Sequence, residues 1–190
     1  MSETPAAVER ALAPSELGRT EERLPLTAVL LAPGLTVLAL VSMRLDRAVV
    51  AAVLACALVV LSAIDLERRI IPNRIVLPAA AVVLVMQLAL FPNQALDWVL
   101  APLVVAFALM VPTLLGRSWM GMGDVKLALL IGAGLGWDAV GAVFLAFLCV
   151  FPVAVAILVH RGLAARKSTI PFGPFLALGA LIVLFAGVAN

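Results

Sequence analysis

Between residues 26 and 188 the chain runs, seven times over, through apolar stretches of 13 to 21 residues almost without charge. The stretches cover 26–43, 48–64, 75–91, 98–115, 125–137, 139–159 and 171–188. A helix needs roughly 20 such residues to cross about 30 Å of hydrocarbon, and only helices or closed barrels can satisfy their backbone polar groups there. Runs this long and continuous are helical rather than alternating. Composition excludes the soluble alternative: 65% of the 190 residues are hydrophobic and 13% charged, against about a quarter charged in ordinary domains. The expected fold is therefore all-α, a polytopic membrane helix bundle of about seven transmembrane helices. The fifth stretch is short and rich in glycine, through Gly132, Gly134 and Gly136. It spans only if its helix begins near Gly121 or the bilayer thins. Pro33, Pro102, Pro112 and Pro152 fall inside stretches, where neighbouring helices can take up the freed carbonyls.

Residues 1–25 carry five acids and three arginines without hydrophobic periodicity, which predicts a flexible tail. Neither a basic start nor a small-residue cleavage site precedes the first apolar run, so the first span is expected to be retained. Residues 26–190 then form a single membrane domain. With the N-terminus inside, the inner segments hold 11 of the 13 basic residues, leaving only Arg44 and Arg47 outside. The positive-inside rule thus predicts a cytoplasmic N-terminus and an external C-terminus. The net charge of +2 is spread along these boundaries, and no nucleic-acid partner is expected.

Asp65 ends the second stretch and Asp124 begins the fifth. Two full crossings separate them, so both lie on one membrane face, which the charge count makes cytoplasmic. Asp46, Asp97 and Asp138 belong to loops on the other side. A charge near hydrocarbon costs about 2.5–3.5 kcal/mol on insertion scales, so Asp65 and Asp124 are functional candidates. Each also has a bland reading: an aspartate at a helix end can sit among headgroups, and Asp124 can cap the fifth helix. Two carboxylates held close in a poorly solvated site share a proton, one serving as base and the other as acid. In peptide hydrolysis the ionised member takes a proton from the attacking water and the protonated one hydrogen-bonds the carbonyl oxygen.

The flanking residues are distinctive too. Pro72 is placed to stop helical continuation after Asp65, with Asn73 following it. Gly121-Met122-Gly123-Asp124 offers two glycines for a close backbone approach or an unusual turn. The remaining chemistry-bearing residues are few. Cys56 and Cys149 lie in apolar runs and read as small hydrophobes. His160 is the only histidine, and four ligands for a metal are not assembled anywhere. No metal or cofactor is expected.

These residues resemble those of the type IV prepilin peptidases and the related preflagellin peptidases. The match consists of Asp65 with Ile71-Pro72-Asn73, Gly121-Met122-Gly123-Asp124 with Val125-Lys126-Leu127, and Ile170-Pro171-Phe172-Gly173-Pro174-Phe175-Leu176. It extends from about residue 48 to the C-terminus, and the Gly-x-Gly-Asp element is shared more broadly with presenilin-like proteases. The resemblance implies an aspartic endopeptidase that removes a short basic leader from a pilin-like, single-span precursor at the cytoplasmic membrane boundary. Asp65 and Asp124 match the catalytic aspartates. Lys126 matches a lysine that either supports the site electrostatically or snorkels to the interface. Pro171, Phe172, Gly173 and Pro174 either line the substrate groove or form a rigid turn into the last helix.

Larger members of that family carry a cytoplasmic segment with paired cysteine motifs, and nothing comparable lies between the first two expected spans. Proteolysis without N-methylation follows as an expectation, as in the short forms associated with tight-adherence pili. The expected partners are the precursor and membrane lipid. Two other classes remain: a proton- or cation-coupled transporter using the same aspartates, and a non-catalytic pilus-assembly membrane protein. Against transport, both acids sit at one boundary, and no inverted repeat or opposing acidic relay is visible.

Overall fold

The computed structural model of the chain describes residues 45–115, 121–161 and 171–186, with scattered positions between 31 and 37. The tail and, apart from those positions, the first expected span lie outside the described residues. Six helices follow in order: α1 (Leu45–Arg68), α2 (Asn73–Leu90), α3 (Ala95–Leu115), α4 (Met122–Leu135), α5 (Asp138–Arg161) and α6 (Gly173–Ala186). They correspond one to one to the second through seventh apolar stretches, and no strand occurs among the described residues. A single turn of tighter helix, Pro92–Gln94, joins α2 to α3. The helices run through their internal prolines, Pro78 in α2, Pro102 and Pro112 in α3, and Pro152 in α5.

Among the described residues, four segments are long and apolar enough to cross a bilayer: Arg47–Arg68, Asn73–Leu90, Pro92–Leu114 and Asp138–Ala156. The chain is a multi-pass membrane protein. α4 and α6 are shorter, at 14 residues each, which at 1.5 Å per residue is about 21 Å. The short length of α4 suits its position. It packs against α1, α2, α3, α5 and α6, and the buried Leu127, Ala128, Leu130 and Ala133 fall around its whole circumference. A helix apolar all round and walled by other helices need not match the lipid thickness itself.

Close packing, rather than water exclusion, must hold such a bundle together, because lipid is as apolar as the core. At Gly132 a side chain would run into the backbone of Pro102, so α3 and α4 touch main chain to main chain. Gly136 ends α4 with φ 60, a conformation open mainly to glycine, and a Cβ there would lie 2.9 Å from the Trp98 ring. The last carbonyls of a helix lack intrahelical donors. The buried Gln87 of α2 supplies one, its Nε2 donating to the Gly134 carbonyl at 2.9 Å. At the same end of the bundle Trp137 Nε1 donates to Asp97 at 3.0 Å, and the Arg47 guanidinium lies 5.7 Å from the centre of the Phe91 ring. These contacts close the end opposite Asp65 and Asp124.

Candidate active site

α1 stops because Arg69 takes up the left-handed conformation, φ 53, and its N–H returns to the Asp65 carbonyl at 2.8 Å. A left-handed residue after the last turn is a common helix ending, usually filled by glycine. It leaves Asp65 in the final turn of α1, at the negative end of that helix, where a carboxylate is disfavoured by the helix dipole. Pro72 then restarts the chain as the residue preceding α2, extended at φ −71, ψ 125. Its carbonyl accepts from Ile75 and Val76, both at 3.1 Å. The break between α1 and α2 therefore falls where Pro72 and Asn73 place it.

Asp124 has the opposite setting. It lies in the first turn of α4, the positive end, and its Oδ2 accepts from the Gly121 N–H at 3.3 Å while its own N–H donates to the Gly121 carbonyl at 3.0 Å. Gly121 has no side chain with which to answer, so the cap consists of the carboxylate arm alone. The capping role open to Asp124 from its position is thus realised through Oδ2.

Both side chains are buried, with Asp65 6% and Asp124 9% exposed. α1 and α4 pack on one another, and the contact of Gly123 with Ile71 sets Asp65 and Asp124, 59 positions apart, at the same end of the bundle. The third partner comes from α6. Gly173, the first residue of that helix, lies directly against the Asp65 carboxylate, so close that a Cβ on it would sit 2.6 Å from Oδ2. Pro174 follows with no N–H of its own, so Gly173 supplies the one amide of the first two residues of α6, beside Asp65. Asp65, misplaced on its own helix, is held by the positive end of another.

The supporting residues fall into two groups. Gly123 lies under Ile71, where a Cβ added to the glycine would come 3.0 Å from the Ile71 Cβ, and Lys126 Nζ donates to Asn73 Oδ1 at 2.7 Å. Together these join the start of α2 to the start of α4. Gly123 therefore serves close packing, whereas Gly121, in an ordinary extended conformation at φ −78, leaves a Cβ at ordinary contact distance. Phe172 stacks on Phe147 of α5 with ring centres 5.0 Å apart. Met122 is 53% exposed at the first turn of α4, and Pro171 is half-buried at the entry to α6. Among residues that no sequence motif marks, Phe147 bears on the site. An aromatic in an apolar span carries no signal to distinguish it from one facing lipid.

The family model for the type IV leader peptidase family matches residues 52–160, more than half of the chain and both aspartates. The N-terminus of α6 lies beyond that match. A prepilin leader peptidase/N-methyltransferase of Xanthomonas campestris pv. campestris is 32% identical over 142 residues, 72% of this chain and 50% of the relative. Its counterpart from Aeromonas hydrophila is 34% identical over 170 residues, 84% of this chain and 53% of the relative. One from Burkholderia pseudomallei is 32% identical over 139 residues, 70% and 45% of the two. The chain spans about half the length of the curated relatives it matches. No solved structure matches it.

Proposed function

This chain belongs to the type IV leader peptidase family, and we propose that it is an intramembrane aspartic endopeptidase acting on type IV pilin-like precursors, with Asp65 and Asp124 as its catalytic pair. The observation that carries the reading is the pairing itself. Two buried carboxylates stand on the packed helices α1 and α4 at the end of the bundle where Ile71 meets Gly123, and among the described residues no Lys, Arg or His charge offsets either. Such a pair is stable with one proton between its members.

The cycle follows from that proton. The ionised aspartate accepts a proton from water as the water oxygen bonds to the scissile carbonyl carbon. The protonated aspartate donates a hydrogen bond to the carbonyl oxygen as it gains negative charge. Collapse of the tetrahedral species re-forms the carbonyl, breaks the C–N bond and transfers a proton from the pair to the leaving amine. The Gly173 and Gly121 amides hold the two carboxylates in place without contributing a charge of their own.

The precursor is a single-span protein with a short basic leader ahead of its apolar helix. The cut falls at the cytoplasmic membrane boundary, the side favoured for the Asp65 end of the bundle by its excess of Lys and Arg. Release leaves the new amino terminus unmethylated. The test is to incubate the purified protein in lipid with such a precursor, alongside the variants Asp65→Asn and Asp124→Asn. Mass spectrometry of the products gives both the cut and any added methyl group. Leader removal by either single variant at the parent rate sinks the dyad; dissipation of an imposed ion gradient without cleavage replaces it with the transporter reading.

A further inference from the structure

We infer that Phe147 is a positioning residue of the site, its ring seating Phe172 so that the Gly173 amide stays on Asp65. The inference rests on the peptidase reading for its kinetic consequence, and on geometry for its substance. Phe172 immediately precedes α6, and its carbonyl accepts from both Phe175 and Leu176 at 3.1 Å, so its backbone is the base on which the first turn is built. Its side chain can offer that turn no polar cap. What fixes it laterally is the tilted stack on Phe147, at 5.0 Å between centres and 40° between planes, within the range favoured by aromatic pairs.

Gly173 is the next residue, and the space between it and Asp65 has no slack. A single added carbon would lie 2.6 Å from Oδ2 and 3.1 Å from the carboxyl carbon. A displacement of Phe172 by a few tenths of an ångström is therefore passed directly to the amide–carboxylate contact. Further along, Gly179 packs on the backbone of Ala142 in α5, and the buried Leu176 and Ala177 join α6 to the core shared with α1 and α4. Those contacts set the height and tilt of the helix. The aromatic pair acts on the residue immediately before Gly173.

Phe147 is 42% exposed on the outer side of α5, so replacing it leaves the buried core intact. Three variants are compared with the parent in lipid: Phe147→Leu, Phe147→Tyr and, as a control one helical turn away, Phe144→Leu. Cleavage is read on a synthetic single-span precursor with a short basic leader. The Gly173 amide is read by NMR after selective glycine labelling, and assigned by its loss in Gly173→Ala. Phe147→Leu is expected to lower kcat by about three- to tenfold with KM within twofold. Its Gly173 amide proton moves in the same direction as in Asp65→Ala. Phe147→Tyr, which keeps the ring, restores both readouts, and Phe144→Leu changes neither.

An unmoved Gly173 resonance in Phe147→Leu overturns the inference, as does an equal loss in Phe147→Tyr. If the parent fails to cleave while the resonance responds as expected, the peptidase reading falls and the seat provided by Phe147 stands.

Discussion

Asp124 and Asp65 reach the same site by opposite means. Asp124 stands at the favourable end of its own helix and is capped by Gly121 three residues away, so its position is a local property of α4. Asp65 stands at the unfavourable end of α1 and is completed by Gly173, more than a hundred residues on. One carboxylate is held in cis and the other in trans. The site is accordingly robust on one side only: Asp124 persists as long as α4 folds, whereas the setting of Asp65 depends on how α6 docks.

The largest effect is expected where the two are alike. Asp65→Asn and Asp124→Asn should each reduce kcat by about a thousandfold, within the range of general acid–base contributions, measured as leader release from a precursor in lipid. Next comes the substitution that separates them. Gly173→Ala places a methyl group against the Asp65 carboxylate and should cost about ten- to a hundredfold in kcat/KM, as overpacking of about 1–3 kcal/mol implies. Gly121→Ala, whose Cβ would lie 3.5 Å from the Asp124 carboxylate in ordinary contact, should cost no more than about threefold by the same reasoning. Equal losses in these two alanine variants would break the contrast between trans and cis.

Lys126→Met removes the donor to the exposed Asn73 and tests whether the joint between α2 and α4 bears on Asp124. A loss of about two- to fivefold is expected, since exposed polar contacts contribute little. The smallest change in activity belongs to the far end of the bundle. Gln87→Leu removes the donor to the Gly134 carbonyl and should lower stability by about 1 kcal/mol, read as a shift in the unfolding midpoint in mixed micelles, with the cleavage rate nearly unchanged.

Much of this is legible in the amino-acid sequence. Six of the seven apolar stretches match described helices, and the break at Pro72 falls between α1 and α2 as the proline demands. The short, glycine-rich stretch is indeed the shortened helix α4, because its glycines and alanines suit contact with other helices rather than with lipid. Asp65 and Asp124 stand out as costly carboxylates, and the cap made by Asp124 is foreseeable from its place at the start of a helix. Lys126 is open between two roles in the sequence, and its bond to Asn73 adds a structural one that neither names. Gln87 and Phe147 are invisible there, one a lone amide and the other a lone ring within apolar runs.

The properties written in the chain itself are local: which segments enter the membrane, where they stop, and which two acids stand at their ends. Hydropathy, a proline and a cap act within a few residues of where they occur. That Gly173 completes Asp65, that Ile71 covers Gly123 and that Phe147 braces Phe172 are outcomes of tertiary packing alone. The physical reason is that these helices are apolar on every side. Lipid and neighbouring helix are nearly equivalent to such a surface, so no polar stripe marks which face meets which partner, and the choice is left to the fit of side chains once the helices have met.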